Sequence, residues 1–427
     1  MPNMTEEEFA DALRSVLSPS KAIDSEAHLK GRASALRDAK QAFSAHGRQV
    51  FVHGYRGIGK SSVALTTAKL VWQIDPPILV YCSRGSTFSE IIRDICSKAL
   101  DLNPLVREQT NTIKGNAGIK IPGGILEAGG GGERATKTGG VPLPTSVNDA
   151  VSLLKASLGD RANRVIVIDE FDLLEDKASH QLFGEFVKLC ADSGLNLKII
   201  FCGVAQDLDE IFQAHPSTFR IFHPLKLEAL KPQACLDIIA DAEKALGVTV
   251  EHNSKMRIVQ ICDGFPYFVH LITEKLMWAW FNDPKSTGTN STTPEQYASA
   301  LMDACTAAEP ELRLAYDSVV KKYSADGELV LWSLAEGSEL RKNIDLIERD
   351  FTNLYDRIPD RLKSKKGKLG RSQLSSRLAN MKRDDYRNIL VGNGRGWYEF
   401  REKRMRGYAR LRAASQEIDL RADHPLG

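Results

Sequence analysis

The sequence predicts an α/β protein: a parallel sheet of about five strands with helices on both faces, followed by an all-helical region and a C-terminal domain. Two observations support this predicted fold class. Between residues 50 and 227, short apolar runs of strand length alternate with segments of helical periodicity. From residue 231 onward the apolar periodicity is mainly helical. Alternating strands and helices are typical of a parallel sheet with helical crossovers.

The five predicted strands are apolar runs that lie between helical patterns. They fall at residues 50–52, 78–82, 165–168, 197–203 and 221–227. The third run holds four consecutive β-branched residues, as expected of a central strand that is buried on both faces. Two amphipathic helices, a short one within residues 1–20 that ends near Pro19 and one at residues 35–45, precede the first strand. Residues 1–230 therefore form the predicted core domain.

A glycine-rich loop follows the first strand and precedes a helix. It fits the phosphate-loop pattern G-x-x-x-x-G-K-[ST] at every fixed position. Glycines let backbone N–H groups surround phosphate oxygens, and the helix that follows directs its positive end at the same anion. The alternative is a chance glycine turn, which the flanking strand and helix disfavour. The predicted nucleotide-binding residues are Gly54, Arg56, Gly57, Ile58, Gly59, Lys60, Ser61 and Ser62.

Two carboxylates end the third strand, at the edge of the sheet where open α/β proteins bind ligands. Asp169 is expected to hold Mg²⁺ together with the Ser61 hydroxyl, and Glu170 to polarise the attacking water. Lys60 would reach the β- and γ-phosphates. The alternative is a solvated acidic turn after a core strand. A phosphate loop about 110 residues upstream makes a nucleotide site the better interpretation.

Residues 111–146 interrupt the alternation with ten glycines. A second phosphate cradle would need a G-x-G-x-x-G spacing at a turn from strand to helix, and that spacing is missing. We therefore predict a flexible β-hairpin insertion. The sequence leaves open whether it contacts a partner.

The second half of the chain is predicted to hold a helical lid at 231–282, a polar linker at 283–293 and a C-terminal domain at 294–427. Residues 361–412 carry 17 lysines or arginines against four acids, a net charge of +13. Three helices followed by a glycine-turn hairpin at 388–400 predict a winged helix that binds duplex DNA. The alternative is a basic surface that contacts RNA or another protein. The predicted DNA-binding residues are Lys365, Lys366, Arg371, Arg377, Lys382, Arg383 and Arg395.

Cysteine spacing, the charge near the N-terminus and the length of apolar runs argue against several other classes of protein. Seven scattered cysteines without a C-x-x-C pair indicate buried thiols rather than a metal site. Acidic residues near the N-terminus and the absence of a long apolar run indicate a cytoplasmic protein with no membrane partner. The sequence offers no nuclease, protease or deaminase site.

These motifs together resemble the AAA+ and STAND P-loop ATPases, most closely the initiator type that includes the origin-recognition ATPases. The resemblance implies that Arg32 approaches the adenine and that Gln206 reads the γ-phosphate. It also implies an arginine finger at Arg220, for which the alternative is a surface arginine that caps a helix or pairs with Asp209. Pro266 resembles the lid proline of STAND proteins. Tyr267 stands where the origin ATPases carry a second arginine, which favours a slow switch.

The function implied is an ATP- and Mg²⁺-dependent molecular switch that couples nucleotide state to homo-oligomerisation and DNA binding. The alternative is a STAND-type ATPase of signalling or phage defence, whose basic tail binds a protein effector instead of DNA. Duplex DNA should stimulate ATP turnover in the first case and leave it unchanged in the second.

Overall fold

The structure is a computed structural model that describes residues 4–101, 141–159, 165–204, 218–286, 288–364, 367–392, 394 and 396–420. The chain forms two compact units. The sheet unit comprises Ala22–Gly54 and Lys60–Leu227. The C-terminal unit comprises Met1–Lys21, with helix α1 (Glu6–Val16), Tyr55–Gly59 and Glu228–Gly427. The predicted boundaries between lid, linker and C-terminal domain stay predictions.

The sheet unit is built on five parallel strands in the order β2-β3-β4-β1-β5. They are β1 (Gln49–His53), β2 (Ile78–Tyr81), β3 (Val165–Asp169), β4 (Lys198–Gly203) and β5 (Phe222–Lys226). The predicted P-loop fold with about five parallel strands is confirmed. Strand β1 lies between β4 and β5, and β4 separates β1 from β3, so both chemically important strands are interior.

The helices of the sheet unit cover the sheet, as the unbroken apolar runs predicted. They are α2 (Ala33–Ala42), α3 (Lys60–Val71), α4 (Phe88–Asp101), α5 (Val147–Leu158), α6 (Lys177–Asp192) and the short α7 (Thr218–Ile221). Phe51 and Phe201 face a core shared with α4, α5 and α6. Their neighbours Val50 and Ile200 point to the other face and are equally buried. Both faces are therefore shielded from water.

Five phenylalanines form the centre of this core. Phe171, directly after β3 and Glu170, meets Phe183 and Phe201 edge to face with ring centroids 5.3 Å apart in both pairs. Phe51 and Phe222 extend the cluster along β1 and β5. Edge-to-face packing of buried rings fixes their orientation as well as excluding water. The turn after β3 is thus anchored in the core.

The C-terminal unit is mostly helical after residue 231, as predicted. Its further helices are α8 (Pro232–Leu246), α9 (His252–Cys262), α10 (Pro266–Asn282), α11 (Pro294–Ala307), α12 (Pro310–Tyr323), α13 (Ala325–Ala335), α14 (Ile344–Arg357), α15 (Arg371–Asn380) and α16 (Met405–Ala414). Capping boxes form at Thr5, before α1, and at Thr293, before α11. Helix α1 packs Phe9 against Trp278 and Phe281 of α10.

A three-stranded antiparallel sheet lies among these helices, with β6 (Arg341–Asn343), β7 (Leu390–Val391) and β8 (Trp397–Phe400) in the order β6-β8-β7. The hairpin of β7 and β8 was predicted. Strand β6 was not, because its three residues carry no apolar alternation and pair only with a partner more than 50 positions away. The predicted linker is hydrogen-bonded into the unit: the Gln296 amide donates to Asp283 Oδ2 at 2.9 Å and to Ser286 Oγ at 2.8 Å.

Two predictions concern chain features rather than elements. All seven cysteines are free and six are buried, so the prediction of buried thiols is confirmed for those six. The insertion predicted at residues 111–146 falls outside the described residues except for 141–146, which lead into α5. Among the described residues, no helix is long and apolar enough to cross a membrane.

A buried charge cluster ties α9 to α16 in the C-terminal unit. Asp263 has a left-handed backbone, with φ of 53°, and its carboxylate accepts hydrogen bonds from Arg406 Nε and Nη2 at 2.5 Å each. Arg410 Nη1 lies 3.1 Å from the same carboxylate and also donates to the Gln260 carbonyl. One buried carboxylate thus balances two buried guanidinium groups. Removing its charge would leave both arginines undercompensated.

We expect Asp263→Asn to lower the free energy of unfolding of the C-terminal unit by about 3 kcal/mol. Asparagine tolerates the left-handed backbone, so the loss isolates the charge. Urea unfolding followed by tryptophan fluorescence would measure it, because four of the five tryptophans lie in this unit. Asp303→Asn, an exposed position on α11, is the matched control. Equal midpoints for the two variants would contradict the assignment.

Candidate nucleotide-binding site

The glycine-rich loop joins β1 to α3 with the backbone that its sequence predicts. Gly57 and Gly59 have φ of 73° and 99°, values that side-chain-bearing residues adopt only with strain. Between these glycines, the side chain of Ile58 is fully buried and anchors the loop. Helix α3 begins at Lys60, so its unpaired first-turn N–H groups follow the loop directly. This is the geometry that binds phosphate at a helix N-terminus.

The side chain of Lys60 lies back along the loop. Its Nζ donates to the Gly54 carbonyl at 3.0 Å. Ser62, two residues further, accepts the Ile23 N–H at 3.0 Å and so fixes the segment that enters the sheet unit. Lys69 Nζ reaches Asp24 Oδ2 at 2.6 Å on the same helix face. The strand-loop-helix context of the motif is confirmed, while the roles of these residues toward a nucleotide stay predictions.

Arg32 lies between that segment and α2. It is the N-terminal flanking residue of α2 and is buried, and the preceding Gly31 has φ of 68°. Both features show a tight, packed turn at the position that the resemblance assigns to adenine contact. Whether Arg32 meets the base stays a prediction.

Asp169 and Glu170 have different environments although they are adjacent. Asp169 is only 4% exposed, and its Oδ1 accepts the Glu170 N–H at 2.8 Å. Glu170 is exposed and holds a left-handed backbone, with φ of 55° and ψ of 35°. Such a backbone persists in a non-glycine residue only where its surroundings enforce it. Buried Phe171 follows directly and anchors the turn, while Glu170 itself is exposed.

The charges of Lys60, Asp169 and Glu170 affect the pKa values of two neighbouring groups, Cys202 and Tyr81. Burial and then the Asp169 carboxylate raise the pKa of the Cys202 thiol well above its ordinary value, and the positive charge of Lys60 opposes that rise. Burial, followed by Asp169 and Glu170, raises the pKa of the Tyr81 hydroxyl at the end of β2. Cys202 on β4 therefore lies within the fields of both Lys60 and Asp169. The strand order brings together the cation after β1 and the carboxylates after β3.

The donor set suits Mg²⁺. The Ser61 hydroxyl and the Asp169 carboxylate are both hard oxygen ligands, and Mg²⁺ takes few protein ligands beside water and phosphate oxygens. No cluster of three or more His, Cys, Asp or Glu side chains that could hold a metal by itself occurs in the described part of the chain.

Two residues assigned by the resemblance belong to the sheet unit. Gln206 lies outside the described residues, as does Asp209, the alternative partner of Arg220. Arg220 is exposed and belongs to α7, immediately before β5, where the sequence placed it. Its role as an arginine finger stays a prediction.

The lid residues belong to the C-terminal unit. Pro266 is the first residue of α10, and a Cβ built on Gly59 would lie 4.0 Å from its ring. Gly264 has φ of 72°, and a Cβ there would meet the Leu230 carbonyl at 2.7 Å. The glycine in the predicted lid motif is therefore required by close packing against the chain at residue 230.

Residues 55–59 of the loop have partners elsewhere in the C-terminal unit. Arg56, predicted to contact the nucleotide, forms an exposed ion pair with Glu311 at 2.9 Å. Lys403 lies 5.9 Å from the centre of the Tyr55 ring. A Cβ built on Gly57 would lie 2.3 Å from Arg404 Cδ, so a side chain at residue 57 would require the Arg404 side chain to shift. Sequence reasoning counted Arg404 only as one of many tail cations and missed this contact.

The residues predicted to bind DNA lie in different environments. Lys382 and Arg383 are exposed, and Arg371 is exposed but paired with Glu348 and with Asp345 at 2.6 Å. Arg377 is 18% exposed, forms an ion pair with Asp326 at 3.0 Å and stacks over Tyr323. Lys365, Lys366 and Arg395 lie outside the described residues. The partial burial of Arg377 weakens its candidacy, and the nucleic-acid role of the set stays a prediction.

Comparison with known proteins finds a family model that resembles part of this chain. Residues 44–212 match the family model described as an AAA domain. The structure is similar to the Walker-type ATPase PABY2304 of Pyrococcus abyssi, with a TM-score of 0.50, 16% identity and coverage of 92% of this chain and 99% of that chain. Cdc6p of Pyrobaculum aerophilum matches at 15% identity and a TM-score of 0.46, with coverage of 95% and 98%. No curated protein sequence matches.

The family match spans β1 to β4 and so includes the phosphate loop and both carboxylates. These residues therefore resemble an AAA domain, and the Pyrococcus structure is similar in fold over most of both chains.

We expect Phe171→Ala to reduce ATP turnover more than nucleotide affinity, because the turn that projects Glu170 loses its anchor. The free energy of unfolding should fall by about 3–5 kcal/mol. Phe186→Ala, which empties an equally buried site against Phe88, is the matched control. Turnover and urea unfolding are measured for both. An equal turnover loss in the two variants would show that Phe171 acts only through stability.

Proposed function

We propose that the protein is an ATP-binding and ATP-hydrolysing AAA+ switch that couples nucleotide state to oligomerisation and to DNA binding by a C-terminal winged helix. The observation that carries the proposal is the arrangement at the carboxyl ends of β1 and β3: a phosphate loop ending in Lys60, a buried Asp169 and a projecting Glu170. Lys60, Asp169 and Glu170 each have an environment that suits the role proposed for it in phosphoryl transfer.

Nucleotide binding would exchange one Lys60 contact for another. The Nζ that donates to the Gly54 carbonyl would donate to phosphate oxygens, and the first-turn N–H groups of α3 would add neutral donors. Hydrogen bonds between an ionised donor and phosphate are about twice as strong as neutral ones. Ser61 and Asp169 would hold Mg²⁺, which neutralises phosphate charge when bound.

Hydrolysis would proceed by in-line attack of water on the γ-phosphorus. The new P–O bond forms as the bond to the ADP oxygen breaks, and charge develops on the phosphate oxygens near Lys60. Glu170 is the residue to orient the water, because its carboxylate is exposed while that of Asp169 is buried. Gln206 and, from a neighbouring subunit, Arg220 would complete the site. The exposure of Arg220 supports a role between subunits.

DNA binding is proposed for the region that contains α13 to α15 and the sheet of β6, β7 and β8. The order helix, strand, helix, helix, hairpin supports a winged helix. Exposed Lys382 and Arg383 follow α15, and Trp397 on β8 is 40% exposed with the Arg341 guanidinium 4.7 Å from its ring centre. Exposed cations next to this small sheet and a flat aromatic ring on it suit contact with the phosphates and sugars of DNA.

We expect Glu170→Gln to lower ATP turnover by about 100-fold or more while ATP affinity stays near that of the wild type. Lys60→Ala should lose ATP affinity by about tenfold or more, because a charged donor to phosphate disappears. Glu175→Gln is the matched control, since that glutamate forms only an exposed pair with Arg84. Phosphate release and equilibrium nucleotide binding are the measurements. Wild-type turnover that survives Glu170→Gln would refute the hydrolytic role.

We expect replacement of both Lys382 and Arg383 by glutamine to weaken duplex DNA binding and to reduce the slope of log affinity against log salt by about 2. Lys321→Gln with Lys322→Gln, two exposed lysines on α12, is the matched control. Fluorescence anisotropy over a salt series measures the slope. If the wild-type chain binds no duplex and duplex leaves its ATP turnover unchanged, the protein-effector alternative replaces DNA binding.

A further inference from the structure

Trp397, the first residue of β8, has a ring that is exposed to solvent. Tryptophan is a largely buried residue type on average, and four of the five tryptophans, all of which lie in the described residues, are buried or partly buried. Trp397 is 40% exposed, whereas Tyr398 and Phe400 of the same strand are buried. Because successive side chains of a strand point to opposite faces, Trp397 lies on the outer face of the small sheet.

The neighbouring strand β6 holds this ring in place. Asn343 is the residue opposite Trp397, and Arg341, on the same face, places its guanidinium 4.7 Å from the ring centre. A guanidinium over an indole face is an attractive cation–π contact. The turn before β8 leaves space beside it: a Cβ built on Gly394 would meet no atom of the described residues within 4 Å. The exposed ring therefore has a supported orientation and an open approach.

Positive charge surrounds the ring. Arg341 is exposed at the β6 edge of the sheet. At the β7 edge, exposed Lys382 places its Nζ 5.4 Å from the centre of the Tyr398 ring. Glu399, the one carboxylate in the three strands, is paired with Lys403 Nζ at 2.6 Å. Cations near both edges and a flat ring between them complement a partner that combines phosphates with flat apolar groups, as a nucleic-acid strand does.

An aromatic ring fixed on a sheet distinguishes unpaired from paired DNA. In a duplex, neighbouring base pairs cover both faces of every base, so a ring outside the stack meets only sugars, phosphates and base edges. The faces of an unpaired base are accessible, and proteins that bind single strands stack aromatic side chains on them. Phosphate contacts occur with both forms of DNA. Stacking is therefore the contact that would give a preference for the unpaired form.

We propose that Trp397 stacks on an unpaired base of a DNA strand whose phosphates contact Arg341 and Lys382. The inference rests on the proposed DNA-binding function and names the class of DNA: a duplex that carries a single-stranded segment. Fully paired DNA still offers phosphates to Lys382 and Arg383. It therefore binds more weakly than DNA with unpaired bases, but it does bind.

The test measures binding of the full-length chain, by fluorescence anisotropy at fixed salt, to a blunt duplex and to the same duplex with either of two single-stranded overhangs. One overhang carries bases and the other is abasic, so the two have equal numbers of phosphates. We expect the wild type to bind the overhang with bases about tenfold more tightly than the abasic one, because stacking of one base on an aromatic side chain contributes a factor of this order.

Trp397→Ala should bind the two overhangs equally, and Trp397→Phe should keep part of the preference because it keeps a flat ring. Replacement of both Lys382 and Arg383 by glutamine should weaken binding to the two overhangs by the same factor. Leu314→Ala is the matched control, since it removes another large exposed apolar side chain of the C-terminal unit and should keep the wild-type preference.

Equal affinity of the wild type for the two overhangs would overturn the proposal without any variant, so the test holds even if Trp397→Ala does not fold. A wild-type preference that persists in folded Trp397→Ala would also overturn it. If the wild type binds the blunt duplex but shows no preference for bases, this inference alone fails. If it binds none of the three DNAs, the proposed DNA-binding function fails as well, and the protein-effector alternative replaces both.

Discussion

The hydrogen-bonded register of β3, β4 and β1 is the constraint on which the candidate site depends. Parallel pairing places the carboxyl ends of these strands at one edge, with β4 between the other two. Two strand spacings amount to about 10 Å, which leaves room for phosphate and a hydrated cation between Lys60 and Asp169. The Asp169 carboxylate raises the pKa of the Cys202 thiol on β4, and the Lys60 charge opposes that rise. The packing of Phe171 then decides that Glu170 faces outward while Asp169 is buried.

Much of the basic charge of the C-terminal unit is paired with carboxylates inside the unit. Arg404, Arg406 and Arg410 are buried against carboxylates, and Arg377 pairs with Asp326. Arginine suits such positions because its planar fork holds two acceptors at once and stays charged when buried. The excess of +13 in residues 361–412 is therefore larger than the charge offered to a partner. The exposed cations near the hairpin, rather than the total, support the DNA-binding proposal.

The phosphate loop contributes residues to the C-terminal unit. Its central residues, Tyr55–Gly59, group with that unit because their packing partners include Glu311, Lys403 and Arg404.

The sequence alone determined the parallel sheet, the phosphate loop, the order of the two carboxylates and the hairpin, because each depends on local patterns of apolar residues, glycines and caps. Tertiary structure decided the rest. Strand β6 exists only through pairing with β8, and the burial of Arg377 depends on Asp326, 51 positions away. Arg404 and Gly57 are separated by 347 positions, yet each explains the other. Contacts between distant residues leave no periodicity in the chain, so only the folded molecule reveals them.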